Sequence, residues 1–214
     1  MLPQIVRRTA SGRARCRAWC GLLLGAAAIS APANGADERG AKVNFVISGT
    51  IVAVEDGDTL TLRGAGGGRF HIRLSDLDAP EIAHARNPYR QRRSCRGAPA
   101  SAPGQPGGDA ARGALSHRAP RKARARAECY TTDRYGRPVC HVFVGTTNLN
   151  AEQLRGGWAM VASTHAWVRD PASRVAAQTA QRARRGIWAG ARPPTPAHWR
   201  HRCWCQGQCA TPTP

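Results

Sequence analysis

Between residues 44 and 77, apolar and polar side chains alternate in three short bursts separated by turn residues, and this pattern limits the fold more than any other feature. Val43, Phe45 and Ile47, then Ile51, Val52 and Val54, are β-branched or aromatic and partly alternate around Ser48-Gly49. Asp56-Gly57-Asp58 interrupts them, Thr59-Leu60-Thr61-Leu62 resumes the alternation, and Gly64-Ala-Gly-Gly-Gly68 breaks it again. Phe70, Ile72 and Leu74 then share one face and put His71 and Arg73 on the other. A side-chain period of two belongs to a strand, and Asp and Gly turn a chain tightly. Residues 44–77 are therefore expected to form a three-stranded meander.

Downstream the pattern is mixed. Residues 82–108 hold Pro88, Pro99, Pro103 and Pro106 among Gly and Ser, and read as a long flexible loop. A short helix is predicted over 109–117, before Pro120 ends it. Strands are predicted over 125–131 and 139–144, joined by the turn Asp133-Arg-Tyr-Gly136. Asn150 reads as a helix N-cap with Gln153 three residues on, close to a capping box, for a helix through Arg155. Asp170-Pro171 opens a second helix, with Val175, Ala176, Thr179, Ala180 and Ala183 at helical spacing and Gly186 at its end. Beyond Trp188 the Pro-rich tail reads as appended. Five strands, an intervening helix and closing helices predict a mainly β, α+β domain, a five-stranded and partly open barrel of the OB type with packed helices.

Charge and cysteine content bear on location and partner. Thirty-two Lys and Arg against 13 Asp and Glu give a formal charge of +19, and only Lys42 and Lys122 are lysines. Such an excess favours a polyanion, nucleic acid above all, and disfavours a cationic ligand. Arg7, Arg8, Arg13, Arg15 and Arg17 precede an apolar run from Ala18 and small residues up to Ala36. That layout predicts a secretory signal peptide over 1–36, and hence a periplasmic or secreted protein that carries +14 once processed. The apolar run is short for a membrane span, so no membrane association is expected of the mature form. Six cysteines would remain, Cys95, Cys129, Cys140, Cys203, Cys205 and Cys209, an even number suited to disulfides. His198, His201, Cys203, Cys205 and Cys209 offer a soft-metal site as the competing reading, although their spacing matches no zinc motif. Cys129 and Cys140 are placed to face each other across a hairpin.

Three clusters concentrate chemistry. Asp56-Gly57-Asp58 sits at the first turn, and as a bare motif a hairpin explains it. Arg73-Leu-Ser-Asp-Leu-Asp78-Ala-Pro-Glu81 packs three carboxylates and an arginine into nine residues. Asp76 and Asp78 have strand parity opposite to Arg73, so Arg73 and Asp78 meet only if the chain bends, for which Pro80 is the candidate. Asp133-Arg134-Tyr135-Gly136-Arg137 is again a turn in its plainest reading. Taken together, hard carboxylate oxygens suit Ca²⁺ or Mg²⁺, and guanidinium forks suit the charge of a phosphoryl transition state. A further carboxylate can orient or deprotonate water. The set is that of a metal-assisted phosphodiesterase.

Val54-Glu-Asp-Gly-Asp-Thr-Leu60, Arg73-Leu-Ser-Asp-Leu-Asp-Ala-Pro-Glu81, Thr132-Asp-Arg-Tyr-Gly-Arg137 and Leu149-Asn-Ala-Glu-Gln-Leu-Arg-Gly-Gly-Trp158 occur in that order. With Arg184-Arg-Gly-Ile-Trp188 they make the chain resemble the staphylococcal nuclease (thermonuclease) family. The resemblance implies a calcium-dependent, monomeric nuclease that cuts DNA and RNA with little sequence preference and leaves 3′-phosphate ends. It implies calcium ligation by Asp58, Asp78 and the backbone carbonyl of Ala79, and catalysis by Arg73, Arg137 and Glu81, the last as general base. Tyr135 would line the nucleotide pocket, and Asp56 would lie near the metal without ligating it. Ser163 and His165 stand where the family often has nucleotide-packing tyrosines. The alternative is a non-catalytic nucleic-acid-binding module on the same OB barrel. The expected organisation is signal 1–36, linker 37–43, nuclease-like domain 44–190 with insertion 82–108, and a Pro- and Cys-rich tail 191–214.

Overall fold

The three bursts of alternation become β1 (Phe45–Val54), β2 (Thr59–Gly64) and β3 (Arg69–Leu74), paired antiparallel in succession. The computed structural model describes residues 42–163 and 168–209. The predicted signal peptide, most of the 37–43 linker and His165 lie outside the described residues. After β3 come β4 (Leu77–Asp78), α1 (Gly108–Arg118), β5 (Arg124–Thr132), β6 (Pro138–Val144) and β7 (Thr147–Asn148). The chain continues through α2 (Leu149–Arg155), β8 (Met160–Val161), α3 (Ala172–Arg182) and α4 (Pro196–Trp199).

Strand order is β3-β2-β1-β5-β6, and β6 returns to pair in parallel with β3 at Arg73–Val139 and Leu74–Cys140. The predicted five-stranded OB-type barrel is thus present, and this pairing closes it where a partial opening was expected. Leu60, Leu62 and Ile72 are wholly buried inside, with Ala111 and Leu115 of α1 packed against them. Each such side chain contributes about 2–3 kcal/mol of hydrophobic stabilisation. Phe70, expected inward by alternation, is instead 37% exposed. Cys129 and Cys140 are register partners on β5 and β6 and are joined by a disulfide, as their spacing suggested. Among the described residues, no helix is long and apolar enough to cross a membrane.

Several local expectations change. The N-cap of α2 is Asn148, whose side chain accepts from the N–H groups of Asn150 and Ala151. Asn150 and Gln153 are buried and serve tertiary contacts instead. Asn150 Nδ2 donates to the carbonyls of Ser75 and Cys140, and Gln153 Nε2 donates to those of Gly57 and Ala111. On α3 the buried face is Ser173, Ala177 and Ala180, while Val175 is 65% exposed. With alanines at both candidate stripes, hydrophobic spacing alone could not choose the face. The contact that does so is the Ser173 hydroxyl, which reaches Asp76.

Residues 82–108 and 191–209 depart most from expectation. The sequence predicts a flexible insertion and an appended tail, whereas the two segments pack on each other. A Cys95–Cys205 disulfide joins them, and a second bridge, Cys203–Cys209, closes the tail on itself. Both competing fates of the tail cysteines are thereby decided in favour of disulfides. The indoles of Trp199 and Trp204 both donate to the Pro103 carbonyl, at 3.2 and 2.8 Å, and Asn87 Nδ2 donates to the Trp204 carbonyl at 2.7 Å. Tail and loop each supply the apolar surface that the other lacks.

Asp76 turns the chain between β3 and β4. It sits at φ 69°, in the left-handed region, and is 1% exposed. Its carboxylate accepts from His141 Nε2 (3.1 Å), the N–H groups of Arg169 (2.7 Å) and Asp170 (3.0 Å), and Ser173 Oγ (2.8 Å). Burial pushes its carboxyl up, but the hydrogen bond and charge of His141, then the Arg169 N–H and the Ser173 hydroxyl, outweigh burial and hold it below 3.8. A carboxylate depressed in the folded state adds stability above its unfolded value and loses it as the pH falls through the folded value. Asp76→Ala is expected to cost about 3–5 kcal/mol, the scale for orphaning partners of a buried ion. Urea titrations should also show a flatter decline of stability below about pH 4 in the variant.

Candidate active site

The turn between β1 and β2 sets the first carboxylate. Asp56 Oδ1 accepts from the N–H of Asp58 at 2.9 Å, which closes the Asp-Gly-Asp turn and directs Asp58 inward. A Cβ on Gly57 would lie 2.6 Å from that of Ala79 and 2.8 Å from that of Ala111, so only glycine lets the turn approach β4 and α1. Asp58 is 7% exposed, and its Oδ2 accepts from the N–H of Ala79 at 2.8 Å. The structure therefore brings Ala79 to the site through its amide N–H; the carbonyl role remains an implication of the resemblance.

Arg73 lies between two carboxylates. Its Nη2 donates to Asp78 Oδ1 at 2.9 Å, and its Nη1 is 2.6 Å from Asp58 Oδ2. That second contact is an ion pair outside hydrogen-bond geometry, so Nη1 is a buried donor with no hydrogen-bond partner among the described residues. Arg73 and Asp78 do meet through a bend, and the bending residue is Asp76, two positions before Asp78, where Pro80 was expected. A carboxylate can hydrogen-bond locally and tolerate αL, which suits Asp to the role. Burial pulls the Arg73 pKa down, yet Asp58 and then Asp78 outweigh it and raise it. Burial also pushes the Asp58 carboxyl up to about 7, against the opposing charge of Arg73.

Glu81 completes the cluster at the start of the 82–108 segment. Its backbone is fixed by Gln105, whose N–H donates to the Glu81 carbonyl at 2.8 Å and whose Nε2 donates to Pro194 O in the tail at 2.7 Å. A Cβ on Gly108 would fall 2.2 Å from the Glu81 carbonyl oxygen, so glycine is needed for the segment around Glu81 to cross the head of α1. Burial pushes the Glu81 carboxyl up to about 7, with a nearby arginine charge working against it.

That arginine is Arg200, which the sequence reading missed. It follows α4 in the tail and places a planar fork on Asp78, with Nη1 at 3.2 Å from Oδ1 and Nη2 at 2.9 Å from Oδ2. Nη1 also donates to Glu81 Oε1. Burial opposes its charge, but Asp78 and then Glu81 raise its pKa far more. Three carboxylates and two guanidinium groups therefore share the site. No local signal marked Arg200, since it lies 122 residues from Asp78 in a chain rich in arginine.

Two expected residues lie apart from this cluster. Arg137 donates through Nε to Asp133 Oδ2 at 2.8 Å within its own hairpin, and Asp133 also accepts from the N–H groups of Tyr135 and Arg137. Tyr135 is 59% exposed, and its hydroxyl accepts from Arg92 Nη2 at 2.7 Å. The β3–β6 pairing seats this hairpin beside the end of β3 that carries Arg73.

A hard divalent cation suits two of these carboxylates. Asp58 and Asp78 border the same guanidinium, so their oxygens face a common volume. Among the described residues no group of three or more His, Cys, Asp or Glu stands ready to hold a metal. Calcium there would take its remaining oxygens from backbone, water or substrate, as its six- to eightfold coordination allows. The unpartnered Nη1 of Arg73 suits an anionic oxygen in turn.

A family model described as Staphylococcal nuclease homologue matches residues 71–190, which include Arg73, Asp78, Glu81 and Arg137. Asp58 precedes this span and Arg200 follows it. A Haemophilus influenzae protein (strain ATCC 51907 / DSM 11121 / KW20 / Rd), named an uncharacterized endonuclease, is 29% identical over 152 residues, spanning 70% of this chain and 71% of that protein. Loss of the Cys95–Cys205 bridge in Cys95→Ser with Cys205→Ser should let the loop and tail open more often, although Trp199 and Trp204 still join them. Limited proteolysis is expected to cut first within 82–107 and 191–209, with the barrel's urea midpoint little changed.

Proposed function

The chain belongs to the staphylococcal nuclease homologue family, and on that premise we propose that it is an exported, calcium-dependent nuclease that hydrolyses DNA and RNA with little sequence preference. The observation that carries this reading is the ion-paired cluster of buried Asp58 with the partly buried Arg73, Asp78 and Glu81. Solvated surface charge has no need of such a cluster, and a phosphodiester reaction does. A non-catalytic binding module has no use for a paired carboxylate seat beside a buried guanidinium N–H that makes no hydrogen bond. The endonuclease name of the Haemophilus influenzae relative agrees with this reading.

In this account the scissile phosphate enters with one oxygen toward Arg73 Nη1, which gains the hydrogen bond it otherwise lacks. Asp58 and Asp78 would hold the calcium ion, with the Ala79 carbonyl as a further ligand, and when bound it would offset charge on the phosphoryl oxygens. Glu81 orients a water molecule and accepts its proton as the water oxygen bonds to phosphorus. The P–O5′ bond breaks, which leaves a 3′-phosphate on one fragment and, after protonation, a 5′-hydroxyl on the other. Arg73, fixed between two acids, stabilises the added negative charge without having to reorganise. Arg137 neutralises the phosphate from the hairpin side, and Tyr135 offers an aromatic face beside it. The net charge of +14 that would remain after removal of the predicted signal concentrates polyanion around the site in a salt-dependent way.

Steady-state digestion of single-stranded DNA in calcium tests the assignments. Arg73→Ala is expected to lose roughly 3 kcal/mol or more of transition-state stabilisation, the scale for removing a preorganised donor. Arg137→Ala should lose a comparable amount, and near-normal turnover in a folded variant of either would remove that residue from the reaction. Glu81→Gln should lose most of its rate while its calcium affinity stays near wild type. Equal loss of both would make Glu81 a ligand instead of the base.

A further inference from the structure

We propose that Arg200 is a positioning residue of the active site, a third arginine delivered by the tail, which holds Asp78 and Glu81 in their working geometry. The proposal rests on the nuclease reading above and adds a residue that lies beyond the span matched by the family model. Arg200 engages both oxygens of Asp78 and one oxygen of Glu81 with a single guanidinium. A planar fork of this kind fixes the two carboxylates relative to each other, which a flexible ammonium could not do. Without it, Asp78 and Glu81 would repel each other across a largely buried site. Glu81 would then swing away from the place where a water molecule must be held.

The surroundings are built to deliver this one side chain. Thr195 caps α4 by accepting from the His198 N–H at 3.2 Å, and Trp199, immediately before Arg200, is 5% exposed and donates to Pro103. Gln105 ties the Glu81 backbone to Pro194, so the acid and the segment that brings its arginine are held by one amide side chain. Cys95–Cys205 then pins the turn that follows Arg200 to the 82–108 segment. Arg200 is accordingly placed by several contacts that survive its own replacement.

Charge predicts a second consequence. A guanidinium on Asp78 is a like charge beside the seat proposed for calcium, so it weakens the cation as it positions the acids. Removing it should tighten calcium and slow the reaction, a pair of effects that simpler roles do not produce together. Calorimetric titration with calcium alone and digestion of a single-stranded oligonucleotide should be run side by side on wild type, Arg200→Gln and Arg200→Lys. Arg200→Gln is expected to bind calcium about tenfold more tightly and to lose about 10- to 100-fold in kcat with KM little changed. Arg200→Lys should return calcium affinity to wild type, because it restores the charge. It should recover only part of kcat, because it lacks the fork.

Weaker calcium binding together with slower cleavage in Arg200→Gln would make Arg200 a general structural prop and overturn the proposal. Tighter calcium binding with faster cleavage would make it a plug, and would overturn it equally. A wild type that cuts while Arg200→Gln cuts as fast overturns the Arg200 assignment alone. A wild type that leaves the oligonucleotide intact overturns the nuclease reading, and the proposal with it.

Discussion

The site exists because one buried carboxylate reverses the chain. Arg73 and Asp78 lie on opposite sides of an extended strand by parity, and an unbroken β3 would hold them apart. Asp76, at positive φ, turns the backbone between them and is held in that conformation by four donors from β6, α3 and the segment before α3. The same carboxylate thus folds the site and docks the last long helix onto the barrel. His141 extends this anchor inward, because its other ring nitrogen meets the Tyr130 hydroxyl at 2.8 Å. Backbone strain at Asp76 is offset by hydrogen bonds that only this arrangement can make.

Around that bend the electrostatics are nearly self-compensating. Asp58, Asp78 and Glu81 face Arg73 and Arg200 in a largely buried volume, where an unpaired charge would cost several kcal/mol. Arg73 Nη1 is ion-paired with Asp58 but makes no hydrogen bond, and the proposed substrate would supply one. Most of the chain's positive charge lies elsewhere, on exposed arginines that attract polyanion from a distance and have no part in bond cleavage.

Much of this was legible from residue order. The barrel strands followed from a period of two and from turn residues, which are local properties, and β1, β2, β3, β5 and β6 all appeared where the alternation put them. Asp58, Arg73, Asp78 and Glu81 were identified from short motifs and do converge. Asn150 and Gln153 misled because Asn and Gln suit helix ends as well as buried backbone contacts. The burial that distinguishes the two uses comes from tertiary packing. Arg200 was invisible for a related reason: its partners are remote in sequence, and the disulfide that seats its segment, Cys95–Cys205, spans 110 residues. The apparent appendage proved to be part of the site because two proline-rich segments, each poor in apolar surface, share Trp199 and Trp204 as a common core.

The central claim is that this cluster hydrolyses nucleic acid. Its most direct test is mass analysis of fragments from a single-stranded oligonucleotide incubated with the purified protein, in calcium and again in excess chelator. The account predicts fragments ending in 3′-phosphate with calcium and intact substrate in chelator. Intact substrate in both would contradict the claim of hydrolysis, and equal cleavage in both would contradict the role given to calcium at Asp58 and Asp78.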